Sequence, residues 1–149
     1  MIQRIQSIFL LLAAAAGFGQ FVVPYLSTES GNAAATVPVL ADTVLNPMDN
    51  PGLLGLCILS GIVSLAAIFL FRNRQMQARL GNGAAIASLL LTVLAVFVVY
   101  QTMQQLPEGG STRYGAGLAL PAIAILFNWL AVRFIRKDEN LVRSMDRLR

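Results

Sequence analysis

Long uncharged intervals divide this chain, and they decide its architecture. No charge falls between Arg4 and Glu29, Asp49 and Arg72, Arg79 and Glu108, or Arg113 and Arg133, gaps of 24, 22, 28 and 19 residues. A helix rising about 1.5 Å per residue needs about 20 apolar residues to cross a hydrocarbon layer of about 30 Å. Four gaps therefore predict four spans, near 5–26, 53–71, 84–103 and 114–134, in a single domain over 1–149. Buried helices of a soluble bundle would carry a polar stripe at helical period. The run Ala84–Tyr100 carries none. A β-barrel is excluded as well, because its strands alternate polar and apolar residues over about ten positions. The expected fold is all-α, a polytopic four-transmembrane-helix bundle.

The first stretch has two marks of a secretory leader, one basic residue and the small run Ala13–Ala16. Only the five strongly apolar residues Ile8–Leu12 precede that run, against a usual core of about 7–15. Apolar character then continues through Phe18, Phe21, Val22, Val23 and Leu26. An uncleaved first helix is expected; with processing, three spans would remain.

Composition agrees with a bilayer. The chain is 56% hydrophobic and 12% charged, with mean hydropathy +0.68, where soluble domains carry about 25% charged residues. Net charge is +4 and the isoelectric point about 10.0, a balance that can mark nucleic-acid binding. Here the basic residues are few and sorted by side. Arg4, the connection holding Arg72, Arg74 and Arg79, and the tail from Arg133 onward carry ten basic and three acidic residues, net +7. The opposite connections carry Arg113 against Glu29, Asp42, Asp49 and Glu108, net −3. The positive-inside rule then predicts both termini in the cytoplasm. Tyr25, Tyr100 and Tyr114, all the tyrosines of the chain, fall at outward ends of predicted spans, where amphipathic rings favour the headgroup level.

Of the connections, only the outer one at 27–52 is long. Turn clusters at Ser27–Asn32 and Asn46–Gly52 flank a moderately apolar piece, Ala33–Leu45, read as a short strand, a surface-lying segment or a mobile loop. Leu106–Thr112 reads as a plain turn. In the cytoplasmic tail, 136–149, Leu141, Val142, Met145 and Leu148 share a helical face. Glu139 and Arg143 form an i,i+4 pair in the favoured direction. This amphipathic helix either continues span four or lies along the inner headgroups. Its basic residues gain about 1 kcal/mol each near anionic lipid, or serve topology alone.

Ionisable side chains at membrane depth usually mark a transport path or proton relay. None lies centrally in any predicted span, and Arg133 is near enough to an end to snorkel. The uncharged polar residues within the spans include Gln20, Ser60, Ser64, Ser88, Thr92 and Asn128. Asn128 is deep in span four, and interhelical hydrogen bonding, averaging about 0.6 kcal/mol, is its leading reading over a ligand contact. Pro121 predicts a kink in span four, and Pro24 a disturbance at the end of span one. Ala13/Gly17, Ser60/Ser64 and Ala84/Ser88 have the small-xxx-small spacing of close helix packing.

Catalytic patterns are missing. The chain has no histidine and a single cysteine, Cys57, which excludes an intrachain disulfide and cysteine zinc clusters and removes the usual haem and copper ligands. A serine hydrolase would need a base, and Gly81-Asn-Gly83 lacks the rest of a dinucleotide fingerprint. No catalytic, cofactor-binding or metal-ligating residue is assigned, and an enzyme is not expected. A quinone or lipid site needs no charge and stays open.

Three stretches are distinctive together: Met1-Ile-Gln-Arg-Ile-Gln-Ser7, Phe71-Arg-Asn-Arg-Gln-Met-Gln-Ala-Arg-Leu80, and the closing Arg136-Lys-Asp-Glu-Asn-Leu-Val-Arg-Ser-Met-Asp-Arg-Leu-Arg149. The chain resembles, from first residue to last, a bacterial family of small four-span membrane proteins catalogued as a domain of unknown function. The resemblance implies architecture and an inner-membrane address, and carries no reaction or catalytic residue.

The expected role is an accessory or scaffold subunit of the bacterial inner membrane, acting through helix and inner-face contacts. Its expected partners are membrane lipids and other membrane proteins or a second copy, with no nucleic acid. The candidate interaction residues are Arg72, Arg74, Arg79, Arg136, Lys137, Arg143 and Arg147, with Gln20 and Asn128 as intramembrane polar contacts. The alternative is a small transport or ligand-binding protein, with an oligomeric pore lined by Asn128, Ser and Thr or a lipid or quinone site.

Overall fold

The computed structural model describes residues 2–28, 40, 42–106 and 112–146. These form four α-helices, α1 (Ile2–Gly19), α2 (Pro51–Phe69), α3 (Arg74–Gln105) and α4 (Leu120–Asp146). Short strands β1 (Leu26–Thr28), β2 (Val44–Leu45) and β3 (Thr112–Tyr114) lie in the connections. Each helix packs against its neighbours in sequence, and α1 closes the ring against α4. All four neighbouring pairs are antiparallel. Gln6 reaches Phe134 and Gly19 faces Leu120, while Gly17 meets Gly61, Ser60 meets Ser88, and Gly81 meets Val132.

Helix starts follow local chemistry. The Asn50 side chain accepts from the N–H groups of Gly52 (2.9 Å) and Leu53 (3.3 Å), with Pro51 at the first position of α2, where its missing donor costs nothing. Asn73 accepts from Met76 N–H at 3.1 Å and starts α3. That helix begins ten residues before the expected span, so the connection after α2 shrinks to a tight turn around Leu70–Asn73.

The first span ends early. α1 stops at Gly19, not near Leu26, because Gln20 turns its amide back to the carbonyls of Ala16 (3.4 Å) and Gly17 (3.3 Å). Those are carbonyls a helix end otherwise leaves unpaired. Pro24 therefore lies beyond the helix and disturbs nothing in it. Pro121 falls in the first turn of α4, after a 3₁₀ turn at Ala116–Ala119, so the kink expected there has no helix interior to act on. At the other end α4 runs unbroken into the tail, which settles the open choice in favour of continuation.

The two outer connections join in a small antiparallel sheet of order β2-β1-β3, which the sequence pattern does not announce. Leu26 pairs with Leu45 on one side and Tyr114 on the other. Thr43 turns the chain at φ 66°, where a β-branched residue rarely sits, held by its N–H on Leu40 O and by its carbonyl accepting from Thr28 N–H. The expected segment Ala33–Leu45 and the turn Leu106–Thr112 lie largely outside the described residues, apart from these edges. Tyr25 is another correction. It is fully buried beneath the sheet, its hydroxyl donating to Gln20 Oε1 at 2.6 Å, whereas Tyr100 and Tyr114 at the same end are 60% and 66% exposed.

Packing is inverted relative to a soluble bundle. The interior at mid-height is small or polar, with Ala13, Ala14, Gly17, Ser60, Gly61, Ser64, Ala84, Ser88, Ala124 and Asn128 all buried. Outward point Ile8, Leu11, Leu59, Ile62, Leu89, Leu90, Val93, Phe97 and Leu126. The three small-xxx-small pairs thus serve contacts within one chain. α2, α3 and Ala116–Val142 are each long and apolar enough to cross a membrane; the apolar part of α1, Ile5–Gly19, is shorter.

Close backbone approach tests this packing. A Cβ at Gly117 would run into the carbonyl oxygens of Val23 and Pro24, whereas one at Gly55 meets nothing within 4 Å. Gly117→Ala is expected to lower stability in detergent by about 1–3 kcal/mol. Gly55→Ala, in a helix interior, should raise it by about 0.5–1 kcal/mol. Denaturant titration followed by circular dichroism reads both.

Candidate functional site

Two sets of side chains stand out, one inside the bundle and one at its charged end. Inside, Ser64 Oγ donates to Asn128 Oδ1 at 3.2 Å across the bundle, and Asn128 Nδ2 donates to Ala124 O at 3.0 Å. Ser88 Oγ lies 3.2 Å from Ser60 Oγ and 2.9 Å from Ala84 O. Cys57 Sγ donates to Gly17 O at 3.0 Å. Asn128 and Gln20 are both fully buried and act within this chain, Asn128 between α2 and α4, Gln20 as the end-cap of α1 that also anchors Tyr25. Asn128 faces the bundle's own interior and not its outer surface.

The charged end gathers Arg72 in the turn, Arg74 and Arg79 on the first turns of α3, and Arg133, Arg136 and Lys137 on α4. α3 has 32 residues and α4 has 27, lengths of about 48 and 40 Å. Both exceed a hydrocarbon layer of about 30 Å, and they lie side by side at this end. Arg74 Nη1 is 3.0 Å from Asp138 Oδ2, an ion pair without hydrogen-bond alignment. Gln75 Nε2 donates to Glu139 Oε1 at 3.3 Å. These contacts pin the two helices together. Among the described residues, the ion pair uses Arg74 and leaves Arg72, Arg79, Arg136 and Lys137 without a carboxylate partner. The Arg143 side chain and Arg147, also candidates, lie outside the described parts.

Beside this clamp runs an open groove of about 720 Å³ along α4. Its lining combines the apolar Trp129, Val132 and Leu141 with the cations Arg133, Arg136 and Lys137, and with Asn82 of α3 and Asn140. Arg133 stacks over the Trp129 ring at 5.4 Å, a cation–π contact that holds both in place. A smaller groove of about 280 Å³, lined by Arg79, Asn82, Arg136 and Glu139 among others, adjoins it. The sequence places the cations at this end. It does not reveal that α4 sets Trp129, Arg133, Arg136 and Lys137 on one wall, although their i, i+4, i+7, i+8 spacing is the available signal. Among the described residues no three His, Cys, Asp or Glu side chains come together as a metal site would require.

An antiparallel four-helix bundle with three bilayer-length helices and a basic end is the class these features define. The chain belongs to the family described as Domain of unknown function (DUF4293), which matches residues 2–148. No curated protein and no solved structure matches it.

The interior contacts make a quantitative test. Asn128→Ala and Ser64→Ala should each destabilise the bundle. A double-mutant cycle in detergent is expected to return a coupling of about 0.6 kcal/mol, and under about 2. Additive effects would mean that the two side chains do not share a bond.

Proposed function

We propose that this protein is a four-span, multi-pass protein of the bacterial inner membrane, both termini cytoplasmic, working without catalysis as an accessory or scaffold subunit. The observation that carries the reading is the inverted packing. Large aliphatic side chains face outward around the bundle, while its buried hydroxyl and amide groups bond to one another and to helix carbonyls. Hydrocarbon outside and satisfied polar groups inside are what a bilayer demands.

α1 supports the fourth span through its place beside the others. Its 18 residues reach about 27 Å, it runs antiparallel to α4 from Gln6 opposite Phe134 to Gly19 opposite Leu120, and it turns Ile8, Leu11 and Leu12 outward. The basic end supports the cytoplasmic assignment through the positive-inside rule. The cations without a carboxylate partner among the described residues, with the helix pair that carries them, supply a surface for lipids, other membrane proteins or a second copy. Asn128 is bonded inside one chain, which leaves a pore lined by that residue without a specific observation in its favour.

Carbonate washing of vesicles should leave the chain in the membrane, and reporter tags at its two termini should both read the cytoplasmic face. Release by carbonate, or termini on opposite faces, would overturn the topology. Extraction in mild detergent should keep the chain in a larger assembly. Migration as a free single chain, with solute flux after reconstitution into liposomes, would favour a transport role instead.

A further inference from the structure

We propose that the groove along α4 binds one anionic phospholipid, its headgroup against Arg133, Arg136 and Lys137 and an acyl chain along Trp129. The proposal rests on the membrane reading above and adds a ligand class and a place for it.

The groove's lining matches the two halves of such a molecule. Trp129 is half-exposed on the outer face of α4, and indole rings favour the headgroup level. The three cations follow it by one to two helical turns toward the charged end. From Trp129 to Lys137 the lining thus changes from apolar to cationic over about 12 Å, the rise of eight helical residues, with the exposed Leu141 one turn beyond. Among the described residues the cations have no carboxylate partner, and Glu139 lines the neighbouring groove and not this one. An anionic headgroup therefore meets cations that no described carboxylate pairs with, although Arg136 also borders the groove holding Glu139, with Asn82 and Asn140 as further donors at the rim. A neutral lipid leaves that charge unmatched. A soluble phosphate leaves the apolar wall uncovered. Leu126, exposed three residues before Trp129 on the same helix, extends the apolar surface toward the middle of the bundle, the side from which a lipid would enter.

Trp129 is the chain's single tryptophan and lies in the groove wall, so its fluorescence reports occupancy directly. The full chain is reconstituted in nanodiscs of phosphatidylcholine doped with equal small fractions of brominated phosphatidylglycerol or brominated phosphatidylcholine. Quenching by the anionic lipid should be the stronger, and unlabelled phosphatidylglycerol should relieve it. One Lys or Arg near an anionic lipid surface is worth about a fivefold preference. The double variant Arg136→Gln/Lys137→Gln removes two such charges and should accordingly lower the preference about 25-fold. Arg72→Gln, at the same end but outside the groove, should keep it.

Equal quenching by the two lipids would overturn the site while leaving the membrane reading intact. Absence of quenching by either would overturn both. Loss of preference in Arg72→Gln as large as in the double variant would assign the effect to the charge of the whole face and overturn the groove. Relief by soluble glycerol phosphate as effective as by phosphatidylglycerol would remove the acyl chain from the recognised ligand, and the proposal with it.

Discussion

Outward placement of large apolar side chains is the constraint on which this fold depends. In water, Leu and Ile around a bundle would be driven inward, and the small residues of the interior could not offset their exposure. Here the order is reversed. Association then rests on close contact and on interhelical polar bonds, since hydrocarbon gives no hydrophobic reason for helices to meet. Gly17 against Gly61, Ser60 against Ser88 and Ser64 against Asn128 supply that contact at one level of the bundle. The aromatic stack of Phe9 between Phe127 (6.2 Å) and Phe134 (5.5 Å) supplies it nearer the charged end.

The same constraint explains the sheet end. A chain leaving a helix near the edge of a hydrocarbon layer carries backbone donors and acceptors that need partners. Gln20 serves the last carbonyls of α1, and β1 pairs on both edges. Tyr25 N–H donates to Leu45 O, and Gly115 and Gly117 N–H donate to Tyr25 O and Pro24 O. Glycine is required where Gly115 and Gly117 approach Pro24, because a side chain there would occupy the space of its carbonyl. Tyr25, Leu26 and Leu45 then plug the end of the bundle as part of one apolar cluster.

At the opposite end, length takes over from packing. α3 and α4 are longer than an apolar layer of about 30 Å, and their turns at this end carry the cations that such a layer does not admit. Arg74 with Asp138 and Gln75 with Glu139 hold the two helices in register. The cations just before this clamp keep the relation to Trp129 that α4 itself gives them.

The sequence by itself determined the helical class, the apolar intervals and the side on which the cations collect, because each is a property of one residue type counted along one segment. α2 lies within two residues of its expected bounds for that reason. Tertiary structure decided the rest. α1 ends at Gly19 through a folded-back glutamine; Pro121 sits at a helix start and not within one; Tyr25 turns inward; and two distant connections pair as a sheet. Each depends on groups far apart in the chain or on a single side chain's direction, and apolar periodicity carries no trace of either. The groove is of the same kind: its cations are visible in the sequence, but its shape exists only once α4 lies against α3.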